Sequence, residues 1–585
     1  MPILILLCFL LFPTIPLSAL EGYDVKIEGN LTDESRSLIE SASQLLALQE
    51  SPPATPAGLR SRAESDIENM LTVLHSQAYF GAKISLDYDF EHQPPLVSVY
   101  IDPGPQFQFS SFTLTADKNG TAYFPYETIS LSDLGVFLGA PAHPKEILKA
   151  EERLLTLMSS WGYPLASISK REVYADLSGK TVRVSLVVNS GPSAYFGPVS
   201  IQGNNRVLNQ FFYKKIAWSP GAPYNPEKIE RTHNALEASG LFSSIHVHHA
   251  ESPDEFGHLP MIIEVIESKP RSIGWGATYN TDRGLGVALE WEHRNIGGLG
   301  ERLSFDTELW SLQKEAHLLY VKPDFRRRSE DLLLLAELFN EETKGFTESS
   351  ISLSSSIERQ VNDQMRTSYG VMYKWLKDSR SEKNGTFNLL KMPLYMRWSN
   401  ANHLLDPTAG STIHLKLTPT MQIIEPYFLY GIATLTAAHY FSLTANKRWI
   451  LATRIIAGTI LGTDQIPGSE RFYEGSETVM RGYRYQTVSP LECHKPIGGR
   501  SMLICSAELR VRATDTFGWA AFYDIGNVAK NPVPRIDAKQ LQSVGCGLRY
   551  HTAVGPLRLD LAVPLNRREK LDPRFQIYLS IGQAF

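Results

Sequence analysis

The residues of this 585-residue chain whose types permit chemistry are a histidine run, two glycine-rich segments, a few cysteines and scattered arginine–carboxylate sets. His246-Val247-His248-His249 offers nitrogen ligands, with His246 and His248 on one face of a strand. No carboxylate or cysteine is arranged around them to complete a metal's donor set. Gly274-Trp275-Gly276 and Gly284-Leu285-Gly286 are glycines within strands, and no helix follows to receive a phosphate. A Gly-x-Ser-x-Gly turn, which would present a nucleophilic serine, does not occur. These readings point away from an enzyme and imply neither a metal nor an organic cofactor.

Charge excludes a further class. The 57 Lys and Arg against 62 Asp and Glu leave a formal charge of -5, whereas a chain that neutralises phosphates carries a basic excess, so a nucleic-acid partner is not expected. Hydrophobic residues make up 43% and charged residues 20%, the balance of a folded protein. Four cysteines are too few for a disulfide scaffold.

The elements that position these residues begin with an export signal. Ile3 to Phe12 is an unbroken apolar run, followed by Pro13, Pro16, Ser18 and Ala19. A run this short cannot span a bilayer as a helix, which needs about 17–25 residues. It has the form of a signal peptide over residues 1–19, cut after Ala19, although no Lys or Arg precedes Ile3. Of the remaining cysteines, Cys493, Cys505 and Cys546, the first two have a spacing that permits a loop-closing disulfide in an oxidising space.

Three related segments follow. An aromatic or apolar step opens a strand at Tyr79-Phe80-Gly81, Trp161-Gly162-Tyr163 and Gly240-Leu241-Phe242, the glycines lying 81 and 78 residues apart. Each segment opens with a strand (around Val25, Phe107 and Phe196) and closes with an apolar-rich one (Leu96 to Ile101, Val182 to Val188, Met261 to Ile266). Helical stretches lie between; in the third they run from Leu208 to Ala217 and from Pro226 to Ser239, where Asn225 can cap and Pro226 suits the first position. The order strand, helix, helix, strand, strand thus predicts three α+β repeats over residues 23–103, 104–191 and 192–269. A three-stranded sheet with helices on one face leaves a strand edge open to an extended segment of another chain.

From Arg271 the helical pattern stops. Ile273, Trp275, Ala277 and Tyr279 alternate with Gly274, Gly276, Thr278 and Asn280. In the last strand Phe575, Ile577, Leu579, Ile581 and Phe585 form one row, broken at Gln583. Alternation of apolar and polar faces over residues 271–585 predicts a transmembrane antiparallel β-barrel, with sixteen strands at about 20 residues per strand and connection.

Ile466-Pro467-Gly468-Ser469-Glu470-Arg471-Phe472-Tyr473-Glu474-Gly475, running into Val479-Met480-Arg481-Gly482-Tyr483, resembles the long loop motif of the outer-membrane barrel assembly superfamily (BamA and TamA type). His293 to Gly298, Leu405 to Gly410, Gly498-Gly499 with Glu508, and Phe522-Tyr523-Asp524-Ile525-Gly526 agree with it. Met480 stands where the family usually has Val or Ile, and Ser476 where a second Gly is common. The three repeats resemble POTRA domains, and their number resembles TamA-type members more than the five of BamA.

The resemblance implies an outer-membrane protein with periplasmic repeats that inserts or helps export other outer-membrane proteins, such as autotransporters. It implies that the loop folds into the lumen, where Arg481, with five fixed donors and no ready way to lose its proton, needs acceptors close by. By resemblance these are Asp524 and the Phe522 region of the wall, with Glu508 and Gly526 beside them. Gly482 then allows close backbone approach and Tyr483 packs on the wall. A lateral seam between first and last strands is expected at Gly274, Gly276 and Phe585, since glycine weakens a strand interior. Implied partners are unfolded outer-membrane proteins, the bilayer, and a large periplasm-spanning partner anchored in the inner membrane. The alternatives are a dedicated exporter of the two-partner type, which usually has two POTRA domains and a plug helix, and a diffusion pore, which leaves the loop motif without a role.

Overall fold

The computed structural model describes residues 22–117, 128–280, 284–380, 383–534, 539–552 and 555–585; the expected signal peptide lies outside them. The chain divides into two compact units, 1–200 with 217–232 and 246–263, and 201–216 with 233–245 and 264–585.

In the first repeat the opening strand, Asp24–Gly29, lies parallel to the closing strand, Leu96–Asp102, which also pairs antiparallel with Lys83–Asp89. The apolar-rich closing strand takes the centre because it alone is flanked on both edges. Its Val97, Val99 and Ile101 are buried against Leu59, Ala63, Met70 and Leu74 of the helix Pro56–Ser76. That helix begins where Thr55 accepts the Gly58 N–H at 3.2 Å and Pro56 fills a position that needs no donor.

The second repeat repeats the sheet: Gln108–Ala116 runs parallel to the central Thr181–Asn189, and Ser167–Asp176 pairs on its other side. Ile147, Ala150, Leu154 and Met158 line one face of the helix Pro144–Ser160 at spacings of three and four, and cover Val182, Val184, Leu186 and Val188. Among its described residues this repeat has one helix rather than the expected two. The third repeat has the same strand order, with Tyr195–Gln202 and Phe242–His249 flanking His258–Glu267, and helices at Asn209–Lys215 and Pro226–Glu237.

Apart from a small hairpin of Leu491–Glu492 with Lys495–Pro496, the described strands from Arg271 onward form one antiparallel sheet of seventeen segments. Two of them, Lys383–Lys391 and Leu394–Ser399, both lie between Met365–Arg380 and Gly410–Gln422, so they are one strand interrupted at Met392 and Pro393. Proline has no N–H to give to a ladder, which accounts for the break. The polarity of the sheet is inverted relative to a protein in water. On the strand Pro556–Pro564, Leu557, Leu559 and Leu561 are exposed at 40–44%, while Arg558 and Asp560 are at 1% and 0%. The same outward apolar row recurs at Leu285, Val287 and Leu289, and at Tyr369 and Val371. So much contiguous apolar surface is stable only against lipid. No described helix is long and apolar enough to cross a membrane.

The last strand departs from its expected path. The ladder ends at Gln576–Ile581, and Gly582, at φ 88°, turns the chain away. Gln583 then bonds inward, its amide NH₂ donating to Asp406 Oδ1 at 2.9 Å while its oxygen accepts from Arg549 Nε at 2.9 Å. Phe585 therefore does not continue the outward row of Phe575, Ile577 and Leu579. It packs against Ala438, Tyr440, Ile450 and Ala452, with the Arg454 guanidinium 4.3 Å from its ring centre. A left-handed residue ends the period-two pattern, so alternation could not be extrapolated past it.

Candidate functional site

The long connection between Trp449–Gly462 and Ser501–Arg512 does not stay outside the sheet. It returns into the lumen, and its residues Met480, Arg481, Tyr483 and Val488 have no exposed surface. The turn at its tip is made by two residues with positive φ, Met480 (53°) and Gly482 (93°). Glycine is required at 482 on two counts: its φ, and a Cβ there would come within 3.2–3.4 Å of Pro564 and Val563 backbone atoms. The Gly482 N–H donates to Tyr578 Oη at 2.9 Å. Tyr483 packs against the wall and donates its hydroxyl to the Gln542 carbonyl at 2.8 Å, accepting the Gln542 N–H in return at 3.1 Å.

Arg481 lies between two inward-facing carboxylates. Asp524 accepts from its Nε at 2.9 Å, its Nη2 at 3.0 Å and its backbone N–H at 3.1 Å. Glu508 accepts from Nη1 at 2.5 Å. Asp524 and Glu508 are brought together because Ser501–Arg512 and Phe517–Ala529 are neighbouring strands, with Glu508 opposite Phe522 and Ser506 opposite Asp524. The Phe522 ring centre lies 3.4 Å from the guanidinium carbon, adding a cation–π face to the hydrogen-bonded edge. Burial opposes charge on Arg481, but the two carboxylates outweigh it and the guanidinium holds its proton more firmly than usual. Gly526 is on the same face as Asp524; a Cβ there would meet the Leu503 carbonyl oxygen at 2.6 Å, so backbone approach fixes glycine at that position.

Several members of this knot were not anticipated. Arg510 Nε donates to Glu508 Oε1 at 2.8 Å and its Nη2 to the Phe585 carbonyl at 2.7 Å. Arg549 Nη1 donates to Asp560 Oδ1 at 2.5 Å, and Arg558 lies beside the same carboxylate at 3.6 Å. Arg454 donates to the Thr478 carbonyl at 2.5 Å, tying the segment just before the tip. The signal was present in the alternation Leu557-Arg558-Leu559-Asp560-Leu561, where charges can only face inward. Their partners depend on register across four strands, which the sequence does not display.

The seam residues fall on the first strand and beyond the end of the last. The ladder of Arg271–Asn280 is with Gly284–Arg294 and that of Gln576–Ile581 is with Pro556–Pro564, and among the described residues no ladder joins the first strand to the last. Ile273 and Trp275 point outward, 74% and 85% exposed. A Cβ on Gly276 would meet nothing within 4 Å, and one on Gly274 only Glu290 at 3.8 Å. Space does not require glycine at either position, so its effect there is on strand stiffness. Phe585, expected at this seam, lies instead inside the lumen. The three later cysteines, Cys493, Cys505 and Cys546, are free thiols, with Cys505 inside a barrel strand, so the loop disulfide is not formed. Among the described residues no group of three His, Cys, Asp or Glu is placed to hold a metal.

Comparison with known proteins agrees with this architecture. Residues 295–585 match the Omp85 superfamily domain, and residues 194–267 match the POTRA family, described as a surface antigen variable number repeat. The chain is 21% identical over 560 residues to the outer membrane protein assembly factor BamA of Nitratidesulfovibrio vulgaris, covering 87% of this chain and 66% of that one. It is 20% identical to BamA of Neisseria meningitidis serogroup B, over 95% of this chain and 77% of that one. The fold is similar to the crystal structure of BamA from Haemophilus ducreyi lacking POTRA domains 1–3, with a TM-score of 0.68, 16% identity, and coverage of 80% of this chain and 99% of that one. With POTRA-type repeats ahead of an outer-membrane β-barrel whose lumen holds the Arg481 loop, the chain belongs to the Omp85 superfamily.

Proposed function

We propose that this protein is an outer-membrane insertase or translocation subunit that assists the assembly or export of other outer-membrane proteins, autotransporters among them. The barrel sits in the outer membrane and the repeats face the periplasm. Three repeats favour a TamA-type role within the superfamily, in which a large inner-membrane-anchored protein spans the periplasm and docks on the first repeat. It catalyses no covalent reaction. The relatives that carry the name of assembly factor support the reading at the level of the family.

The observation that carries it is the conjunction of a seam without a ladder and a buried knot on the wall beside it. An edge strand presents unpaired N–H and C=O groups, which a client strand can satisfy. Opening the seam breaks no ladder among the described residues, while the Arg481 knot keeps the neighbouring wall registered. Folding of the client supplies the driving force, because its apolar strands gain by burial in lipid. The test is a disulfide between cysteines placed at Gly276 and Ser580. Locked protein should lose client insertion and regain it on reduction; full activity while locked would remove the seam from the mechanism.

A further inference from the structure

The lumen segment makes a second ionic contact far from Arg481. It begins in a single 3₁₀ turn, Gly468–Glu470. The Glu470 carboxylate accepts from Lys391 Nζ at 2.6 and 2.7 Å and from Lys374 Nζ at 3.1 Å. Lys374 also pairs with Glu348 at 2.7 Å, and the Ser469 N–H donates to Asp378 Oδ2 at 3.0 Å. Glu470, Lys391, Glu348 and Asp378 are all buried. Tyr430, Ile460 and Ile466 form a buried apolar cluster, with Ile466 on the same segment four residues before Glu470.

The two contacts are on different walls. Arg481 is held by Ser501–Arg512 and Phe517–Ala529, with Asp560 of Pro556–Pro564 at 3.8 Å, all within a few strands of the last one. Glu470 is held by Met365–Arg380 and Lys383–Lys391, in the middle of the sheet and remote in strand order from both edges. We propose that Glu470 is a positioning residue: with Lys391 and Lys374 it forms a fixed tie, so that the segment from 470 to 481 is a strut joining the mid-barrel wall to the wall next to the seam. Movement of the last strands must then stretch or release the strut at its Arg481 end. The carboxyl of Glu470 fits this role. Burial opposes its charge, but the Lys391 and Lys374 ammonium groups outweigh that and hold the carboxyl well below its usual range.

The strut is a property of this barrel alone; only its consequence for client insertion rests on the insertase reading. Hydrogen exchange of the whole chain in lipid nanodiscs, read on peptides covering residues 464–474 and 478–488 with no client present, tests it. Glu470→Gln should speed exchange of 464–474 by about tenfold or more and leave 478–488 slow, because one buried tie is lost and the other kept. Arg481→Ala should do the reverse. Lys391→Gln, which leaves the segment's own sequence intact, should reproduce the Glu470→Gln pattern. Unchanged exchange of 464–474 in both single variants would overturn the proposal. The comparison holds for variants whose barrel-strand amides stay protected, which shows that they fold.

Discussion

Arg481 closes on Asp524 with its backbone as well as its side chain: N, Nε and Nη2 all donate to that one carboxylate, at 3.1, 2.9 and 3.0 Å. Lysine could supply the charge but not the fork, and neither residue alone would fix the main chain of the tip. The knot therefore sets the position of the loop, and not merely its attachment.

The first prediction concerns that knot. Arg481→Ala leaves Asp524 and Glu508 facing each other without their shared cation, and Asp524→Asn leaves Arg481 half paired. Breaking one partner of a buried pair costs about 3–5 kcal/mol. Both variants should lower the heat-unfolding temperature of the barrel and expose the loop to protease, and Arg481→Lys should recover only part of the loss.

A second prediction isolates the turn from the charge. Gly482→Ala keeps every ion pair but places a Cβ at φ 93° and within 3.2–3.4 Å of the opposing backbone. The left-handed conformation alone costs about 1–2 kcal/mol. Loop protection should fall, though less than in Arg481→Ala, and the Tyr483 hydroxyl contact with Gln542 should weaken with it.

A third prediction follows from the empty space around Gly276. A β-branched residue fits there and stiffens the strand, gaining up to about 1 kcal/mol over glycine. Gly276→Val should thus fold normally, melt no lower than the parent, and insert clients more slowly. Faster insertion would show that a weak first strand is not what the seam needs.

A fourth prediction is a pH dependence in the third repeat. Glu267 Oε1 accepts the N–H groups of Asn205, Arg206 and Val207 at 2.8, 2.8 and 2.9 Å. Burial would raise its pKa, but these three donors outweigh it and the carboxyl is held below its usual range. A depressed carboxylate stabilises the fold above its unfolded pKa and loses that contribution as pH falls through the folded value. Exchange of the 203–208 amides should accelerate as pH drops below about 4, after correction for the intrinsic rate, and Glu267→Gln should show the fast behaviour at neutral pH.

Much of this was legible in the sequence, for physical reasons that also mark where legibility ends. Period-two alternation announces a lipid-facing strand at Leu557-Arg558-Leu559-Asp560, and the Asn225-Pro226 pair announces a helix start, because both signals are local. The tip residues Arg481, Gly482 and Tyr483 were recognisable as a motif, and Asp524 and Glu508 lie where that motif requires acceptors. Arg549 and Arg558 are directly opposite each other across their strands, a like-charge pair tolerable only because Asp560 and Glu508 lie beside them. That arrangement depends on register and on a neighbouring strand, neither of which a linear pattern contains. One glycine, Gly582, turns Phe585 inward against the alternation, and Glu470 meets lysines 79 and 96 residues earlier, so neither placement follows from a local pattern.

The most direct measurement is the rate at which residues 20–585, reconstituted in liposomes, promote membrane insertion of an unfolded, unrelated barrel protein, with Arg481→Ala measured alongside. Acceleration over protein-free liposomes is expected for the parent and its loss for the variant. A correctly folded parent that gives no acceleration, or a variant that accelerates as well as the parent, would contradict this expectation.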